Sequence, residues 1–236
     1  MKEINALEFD YQELNGIIRE AEGDILVNNC LGERFIGSGL SDKKITINGT
    51  PGNALGSYLD GATCVVNGNA QDAVGDTMND GQIYVHGNAG DALGYAMRGG
   101  KIFVRGNSGY RTGIHMKQYK DKCPIIVVGG SAGSFLGEYL AGGKIIVLGL
   151  DDEAVPVGNF AGTGMHGGEV WIRSDKKLSN FPPQVTVSKE RPDSILDILN
   201  DFAKIFNLSI DDILSKPFYR LTPNVKNPYK QLYTEN

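Results

Sequence analysis

Three histidines, three cysteines and a set of glycine clusters are the parts of this chain best suited to chemistry. His115 and His166 each sit beside a methionine, Met116 and Met165, with Arg111 and Lys117 close to the first of them. The corner formed by the two insertions near these histidines is where a site would be expected, with imidazoles as proton-transfer groups. Neither histidine has a carboxylate spaced to orient it, so the pattern fits a small ligand-binding module better than acid–base catalysis. His86 ends an apolar run in a position shared with Asn48, Asn67 and Arg105, which reads as solvent-facing. Cys30, Cys64 and Cys123 match no zinc or iron–sulfur spacing. Gly37-Ser38-Gly39 and Gly162-Thr163-Gly164 suggest a phosphate cradle, but a dinucleotide fingerprint needs a helix opening at its last glycine. These runs lead to strands instead. Gly143-Lys144 is followed by Ile145, where a Walker loop requires Ser or Thr. The residues therefore assign no catalytic, cofactor-binding or metal-binding side chain.

The elements that would position such groups are repeats. Marker glycines recur at Gly37, Gly56, Gly75, Gly94, Gly113, Gly137 and Gly162, in steps of 19 residues up to Gly113 and longer steps thereafter. The longer steps place insertions around Lys117 to Lys122 and Asp151 to Pro156. Three residues after each marker stands Leu40, Leu59, Met78, Met97, Met116, Leu140 or Met165. A small residue and a short β-branched strand follow. The strands carry inward pairs: Ile45/Ile47, Cys64/Val66, Ile83/Val85, Ile102/Val104, Ile126/Val128, Ile145/Val147 and Val170/Ile172. Alternation by two marks strands, and the links are too short for helices. Identical strands joined by one coil each run parallel and stack. The fold class is thus all-β, a single-stranded parallel β-helix of about seven coils. Asn69, Asn88 and Asn107 follow the strand glycine in successive coils and suggest a side-chain ladder. The period differs from the six-residue hexad of left-handed acyltransferase helices, which disfavours that class.

Between each inward pair lies an outward residue that should be polar on a free face. Here the column runs Thr46, Val65, Tyr84, Phe103, Val127, Ile146, Trp171. So apolar a stripe is expected to be covered, either by the chain's own tail or by another polypeptide. Val65, Tyr84, Phe103, Val127, Ile146 and Trp171 are the candidate interface. On the partner reading, Tyr84→Asp or Phe103→Asp leaves the chain folded and abolishes docking; on the tail reading they unfold it.

The chain divides into an N-terminal cap (1–26), the β-helix (27–173) and a C-terminal helix and extended arm (174–236). Asp10 to Glu13 is a capping-box pattern ahead of a helix over 11–20. The spacing of Ile195, Leu199, Phe202 and Phe206 predicts an amphipathic helix from about Asp193 to Phe206, and Ser209 caps a second one through Leu214. Pro217 to Tyr233 reads as an extended arm on a surface. With 41% hydrophobic and 22% charged residues and a net charge of -5, the composition is that of a soluble globular protein. The acidic balance argues against a nucleic-acid or anionic-membrane partner. No signal-peptide pattern or membrane-length apolar run is found, so a cytoplasmic location is expected.

The stretch from Asn28 to Arg173, closed by Gly162-Thr163-Gly164-Met165-His166-Gly167-Gly168, resembles the GXGXG domain of glutamate synthase, which also occurs as a separate polypeptide. One of the subunits of formylmethanofuran dehydrogenase shares that right-handed β-helix. Tyr11 to Asn15 and Asn227 to Tyr233 look more like the stand-alone glutamate synthase type. The resemblance implies a structural and docking role in a complex that makes glutamate from glutamine and 2-oxoglutarate. An amidotransferase and a domain carrying FMN and an iron–sulfur cluster would be its partners, with a homo-oligomer also compatible. It implies no cofactor in this chain and no catalysis by the chain alone. A formylmethanofuran dehydrogenase-like complex, or a ligand module at His115 and His166, is the alternative.

Overall fold

A computed structural model describes residues 1–151 and 154–224. Nine parallel strands come first: β1 (Lys2–Asn5), β2 (Ile25–Leu31), β3 (Lys44–Thr50), β4 (Asp60–Asn67), β5 (Asp80–Val85), β6 (Lys101–Val104), β7 (Ile125–Val128), β8 (Ala141–Val147) and β9 (Gly167–Arg173). Each pairs with the next in order, and β11 (Phe218–Pro223) and β10 (Val185–Glu190) follow antiparallel at the far end. Register is kept through the strand centres, with shifts only toward the strand ends in β2–β3, β4–β5 and β8–β9: Ile45, Cys64, Ile83, Ile102, Ile126, Ile145 and Val170 form one continuous row. This is the expected β-solenoid, with an additional rung, β2, ahead of the seven marked by glycines. Its interior is the predicted one. Every inward pair is buried, and so are all seven long side chains from Leu40 to Met165. Methionine fills such columns well because it is unbranched.

Between strands the chain turns through three left-handed residues spaced two apart. In the third coil these are Ala73 (φ 58°), Gly75 (φ 69°) and Thr77 (φ 53°), and all seven coils repeat the pattern. Only the middle position is glycine throughout. A methyl at Gly75 would run into Cδ1 of Ile102 on the following rung, so both the backbone and the interior demand glycine there. The outer two positions point away from the core and accept other residues. Their left-handed backbone is held by inter-coil bonds such as Ala73 N–H to Asp91 O and Thr77 N–H to Tyr95 O, both 2.8 Å.

Asparagines stitch the coils in two ways. Asn69 Oδ1 accepts from the Asn88 backbone N–H at 2.8 Å, and Asn88 Oδ1 from that of Asn107 at 2.7 Å. This ladder runs side chain to backbone, whereas a side-chain-to-side-chain ladder forms on Asn28, Asn48 and Asn67. The first solution satisfies an amide that the turn would otherwise leave exposed.

Both ends are closed. Helix α1 (Tyr11–Glu20) carries the predicted capping box: Asp10 accepts from Gln12 and Glu13 N–H, and Glu13 accepts from Asp10 N–H. Its Leu14 and Ile18 seal the first rung, and Lys43 Nζ donates to the Ile18 carbonyl at 2.9 Å near its C-terminus. At the other end α2 (Leu196–Phe206) follows a 3-10 turn at Pro192–Ile195, and α3 (Ile210–Leu214) is capped by Ser209 as expected. The first part of the proposed arm is strand β11, paired to β9. The arm's remainder, including Tyr229 and Tyr233, and part of the insertion at 151–156 lie outside the described residues.

Candidate docking surface

The apolar stripe is covered over its second half by the chain's own C-terminal segment. Phe103, Val127, Ile146 and Trp171 are buried against Leu199, Phe202 and Ala203 of α2, Ile213 of α3, and Phe218 of β11. Phe103 meets Phe202 edge-on at 5.6 Å, and Phe202 meets Phe206 at 4.8 Å. Four of the six candidate interface residues are therefore inaccessible to a partner, which corrects the docking reading for them. The cause is the amphipathic face of α2, whose apolar side chains repeat at helical spacing and find their cover on these rungs. Val65 and Tyr84 remain half-buried. They sit at the front edge of the cover, with Tyr84 tilted against Phe103 at 5.6 Å and its hydroxyl donating to Gln82. Burial raises the Tyr84 phenol above its ordinary value, with the Asp201 carboxylate adding to the shift.

Sequence reasoning missed the residues that pin this cover down. Buried Arg173 donates Nε–H to Ile213 O at 2.7 Å, Nη1–H to Leu148 O at 3.0 Å and Nη2–H to Asp212 O at 2.8 Å. One guanidinium thus ties together β9, α3 and the residue following β8. Desolvation lowers its pKa from the ordinary arginine value. Glu169 receives Lys144 on one oxygen at 2.5 Å and Arg220 on the other at 2.6 Å, which locks β11 to the last parallel strands. Arg220 also lies over the Trp171 ring at 5.6 Å. The sequence offered little signal, because Arg173 ends its strand in the same column as Asn48, Asn67, His86 and Arg105, and two of its three carbonyl partners lie in the C-terminal segment.

The residues singled out for chemistry are not brought together. His115 stacks on Tyr139 at 5.1 Å, while His166, two coils away, places Nδ1 3.1 Å from Gly164 O. Their separation along the axis is roughly 10 Å at ~4.8 Å per rung. Arg111 is engaged with Glu138 at 3.1 Å, and exposed His86 packs edge-on against Phe206 at 5.1 Å. Cys30 lies within β2, and Cys64 is a core residue as expected. Burial pushes both thiols up to about 12, with Glu33 contributing at Cys30. Cys123 is also raised by burial. All three are protonated near neutral pH, which is unfavourable for nucleophilic attack. Each glycine turn opens a strand, so none offers a helix N-terminus to a phosphate.

A cleft of about 600 Å³ is lined by Ala141 to Lys144, Gly168, Gln118, Cys123, Glu169 and Arg220 among others. Its principal charges already satisfy one another. Nearby, the insertion folds back so that Lys122 reaches Asp80 at 2.9 Å and Asp60 at 3.5 Å. Among the described residues there is no group of three His, Cys, Asp or Glu that could hold a metal, and no helix is long and apolar enough to cross a membrane.

Comparison with known proteins places these features in context. The model of the GXGXG motif family matches residues 18–193. An uncharacterized protein of Methanocaldococcus jannaschii is 41% identical over 249 residues, covering 98% of this chain and 95% of its own. A chain in the crystal structure of the formyltransferase/hydrolase complex from Methylorubrum extorquens, solved with methylofuran, superposes with a TM-score of 0.64 at 23% identity. The match covers 84% of this chain and 72% of that one, and it shows a shared fold.

Proposed function

Because the chain belongs to the GXGXG-motif family, we propose that it is a scaffold and docking subunit of a glutamate synthase-like assembly. In that assembly, partner polypeptides release ammonia from glutamine and build glutamate from 2-oxoglutarate, using FMN and an iron–sulfur cluster. This chain holds them in a fixed relation. The observation that carries the reading is the solenoid interior, filled rung by rung with the chain's own Ile, Val, Leu and Met side chains. A rod packed in this way resists bending and presents long, regular faces. The docking residues are then Val65 and Tyr84 at the uncovered end of the stripe, together with the outer surface of α2. A second assembly is supported by the fold shared with the formyltransferase/hydrolase complex chain.

Co-expression of the tagged chain with amidotransferase and FMN-domain polypeptides tests the proposal. Co-purification of a flavin-containing complex is expected, with loss of the flavin protein in Val65→Asp. Elution of the chain alone, or capture of formyltransferase/hydrolase subunits in a parallel experiment, overturns the glutamate synthase assignment. Turnover of glutamine and 2-oxoglutarate by the purified chain alone overturns the scaffold role.

A further inference from the structure

The left-handed turns create a second long face, which the scaffold reading leaves unused. Counting coils from one at Gly37 to seven at Gly162, the outer left-handed positions form two columns on either side of the marker glycines. The face is rich in exposed rings: Phe35 is 44% exposed, Tyr58 57%, Tyr95 40% and Phe160 56%. Several rings are held rigidly by one another. His115 lies 6.0 Å from Tyr95 and 5.1 Å from Tyr139, and Phe135 stacks on Phe160 at 5.1 Å with Arg111 over it. Tyr and Arg held in place on a rigid frame are the residues that dominate protein interfaces at low entropic cost.

The order of these residues is what identifies the occupant. We propose that this face binds a second copy of the chain, antiparallel, about a two-fold axis crossing coil four. Such an axis sets coil one against seven, two against six and three against five, and keeps each column facing itself. Phe35 then meets Phe160 and Tyr58 meets Tyr139, while Tyr95 meets its own copy on the axis. Elsewhere small faces large: Ala54 opposes Phe135, Ala73 opposes Arg111, and Thr77 opposes His115. One charge contact agrees with the shapes, while exposed Asp91 of coil four meets its own copy at the axis and opposes association. Arg111 of one copy, paired with Glu138 of its own chain at 3.1 Å, arrives at Ala73 of the other, where Asp72 and Asp76 offer it second carboxylates. A two-fold along the rod would instead set Arg111 against His115 and Phe135 against Tyr139, and leave Ala73 facing Thr77 across a gap. The antiparallel arrangement is the one with complementary size.

The full chain in solution tests this by sedimentation velocity and light scattering, with no partner present. The expected species has twice the 25.5 kDa chain mass. Tyr95→Asp brings two carboxylates together on the axis, and like charges so placed should weaken the dimer about 100-fold. Tyr95 is exposed and outside the left-handed positions, so circular dichroism should not change. Arg111→Asp and Asp76→Arg should each weaken association, and the double variant should restore it. Tyr119→Asp, in the insertion away from this face, should leave it unchanged. A wild-type chain that stays monomeric at the highest attainable concentration overturns the proposal, as does a dimer indifferent to Tyr95→Asp and to the charge exchange. The readout uses this chain alone, so its failure is distinct from failure of the scaffold role.

Discussion

The three left-handed residues of each coil make opposite demands on glycine, and the pair Gly75→Ala and Ala73→Gly separates them. Both positions have positive φ, 69° and 58°. An L-residue in this region costs about 1–2 kcal/mol. At Gly75 a methyl also collides with Cδ1 of Ile102, with Cγ1 of that residue at 3.4 Å and Ile83 Cδ1 at 3.6 Å. Overpacking of a tight core adds about 1–3 kcal/mol. Loss of glycine's freedom in the unfolded chain returns about 0.4–1 kcal/mol. Gly75→Ala should therefore destabilise by about 2–4 kcal/mol. At Ala73 the same terms act in reverse without the collision, so Ala73→Gly should be stabilising by up to about 1 kcal/mol. Urea unfolding followed by circular dichroism measures both, with the slope checked for constancy. Equal destabilisation by the two changes, or no measurable effect of Gly75→Ala, would refute the account of why the middle position is glycine.

Four further outcomes follow from the C-terminal cover, the thiols and the insertion. Phe103→Asp places a carboxylate beneath Phe202 and should release α2 and unfold the chain at lower urea, by about 3–5 kcal/mol; hydrogen exchange in 196–214 that matches wild type would contradict this. Arg173→Met leaves the Leu148, Asp212 and Ile213 carbonyls without their donor and should cost about 2–4 kcal/mol, with α3 losing exchange protection first. In the native state Cys30 and Cys64 should resist maleimide at pH 8, since burial holds both thiols near 12, and react fully in denaturant. Asp80 is depressed below 3.8 chiefly by its bond to Lys122. Its contribution is present above the unfolded value and lost as pH falls through the folded one, so the tether of the insertion should loosen only below about pH 4; carbon NMR should show Asp80 titrating normally in Lys122→Met.

Much of the rod was legible because the same residue type recurs at the same register. Ile83, Ile102 and Ile126 announce one inward row, and Met78, Met97 and Met116 another. What could not be read was the identity of the cover over Phe103 and Trp171. The stripe shows that something apolar must lie on it, and the face of α2 shows that it needs a surface, but neither specifies the other. Strands β10 and β11 were hidden for a different reason. Prolines at Pro217 and Pro223 bracket β11 and suggest an arm, and its pairing with β9 reverses the direction kept by every earlier rung. The left-handed alanines, Ala54, Ala73 and Ala92, leave no trace in the sequence, since alanine in that conformation is dictated by the neighbouring coil. Arg173 and Glu169 were invisible because their partners lie up to 51 positions away.

Each parallel strand pairs only with the strands before and after it in the sheet, so the number of rungs is an adjustable length. Excising Gly49 to Asn67 removes one unit and leaves Asn48 joined to Gly68, a junction equivalent to the one lost. The rod would shorten by about 4.8 Å with its ends unchanged. Selection on such a chain can set the distance between bound bodies in discrete graduations, like notches on a ruler, without redesigning either terminus.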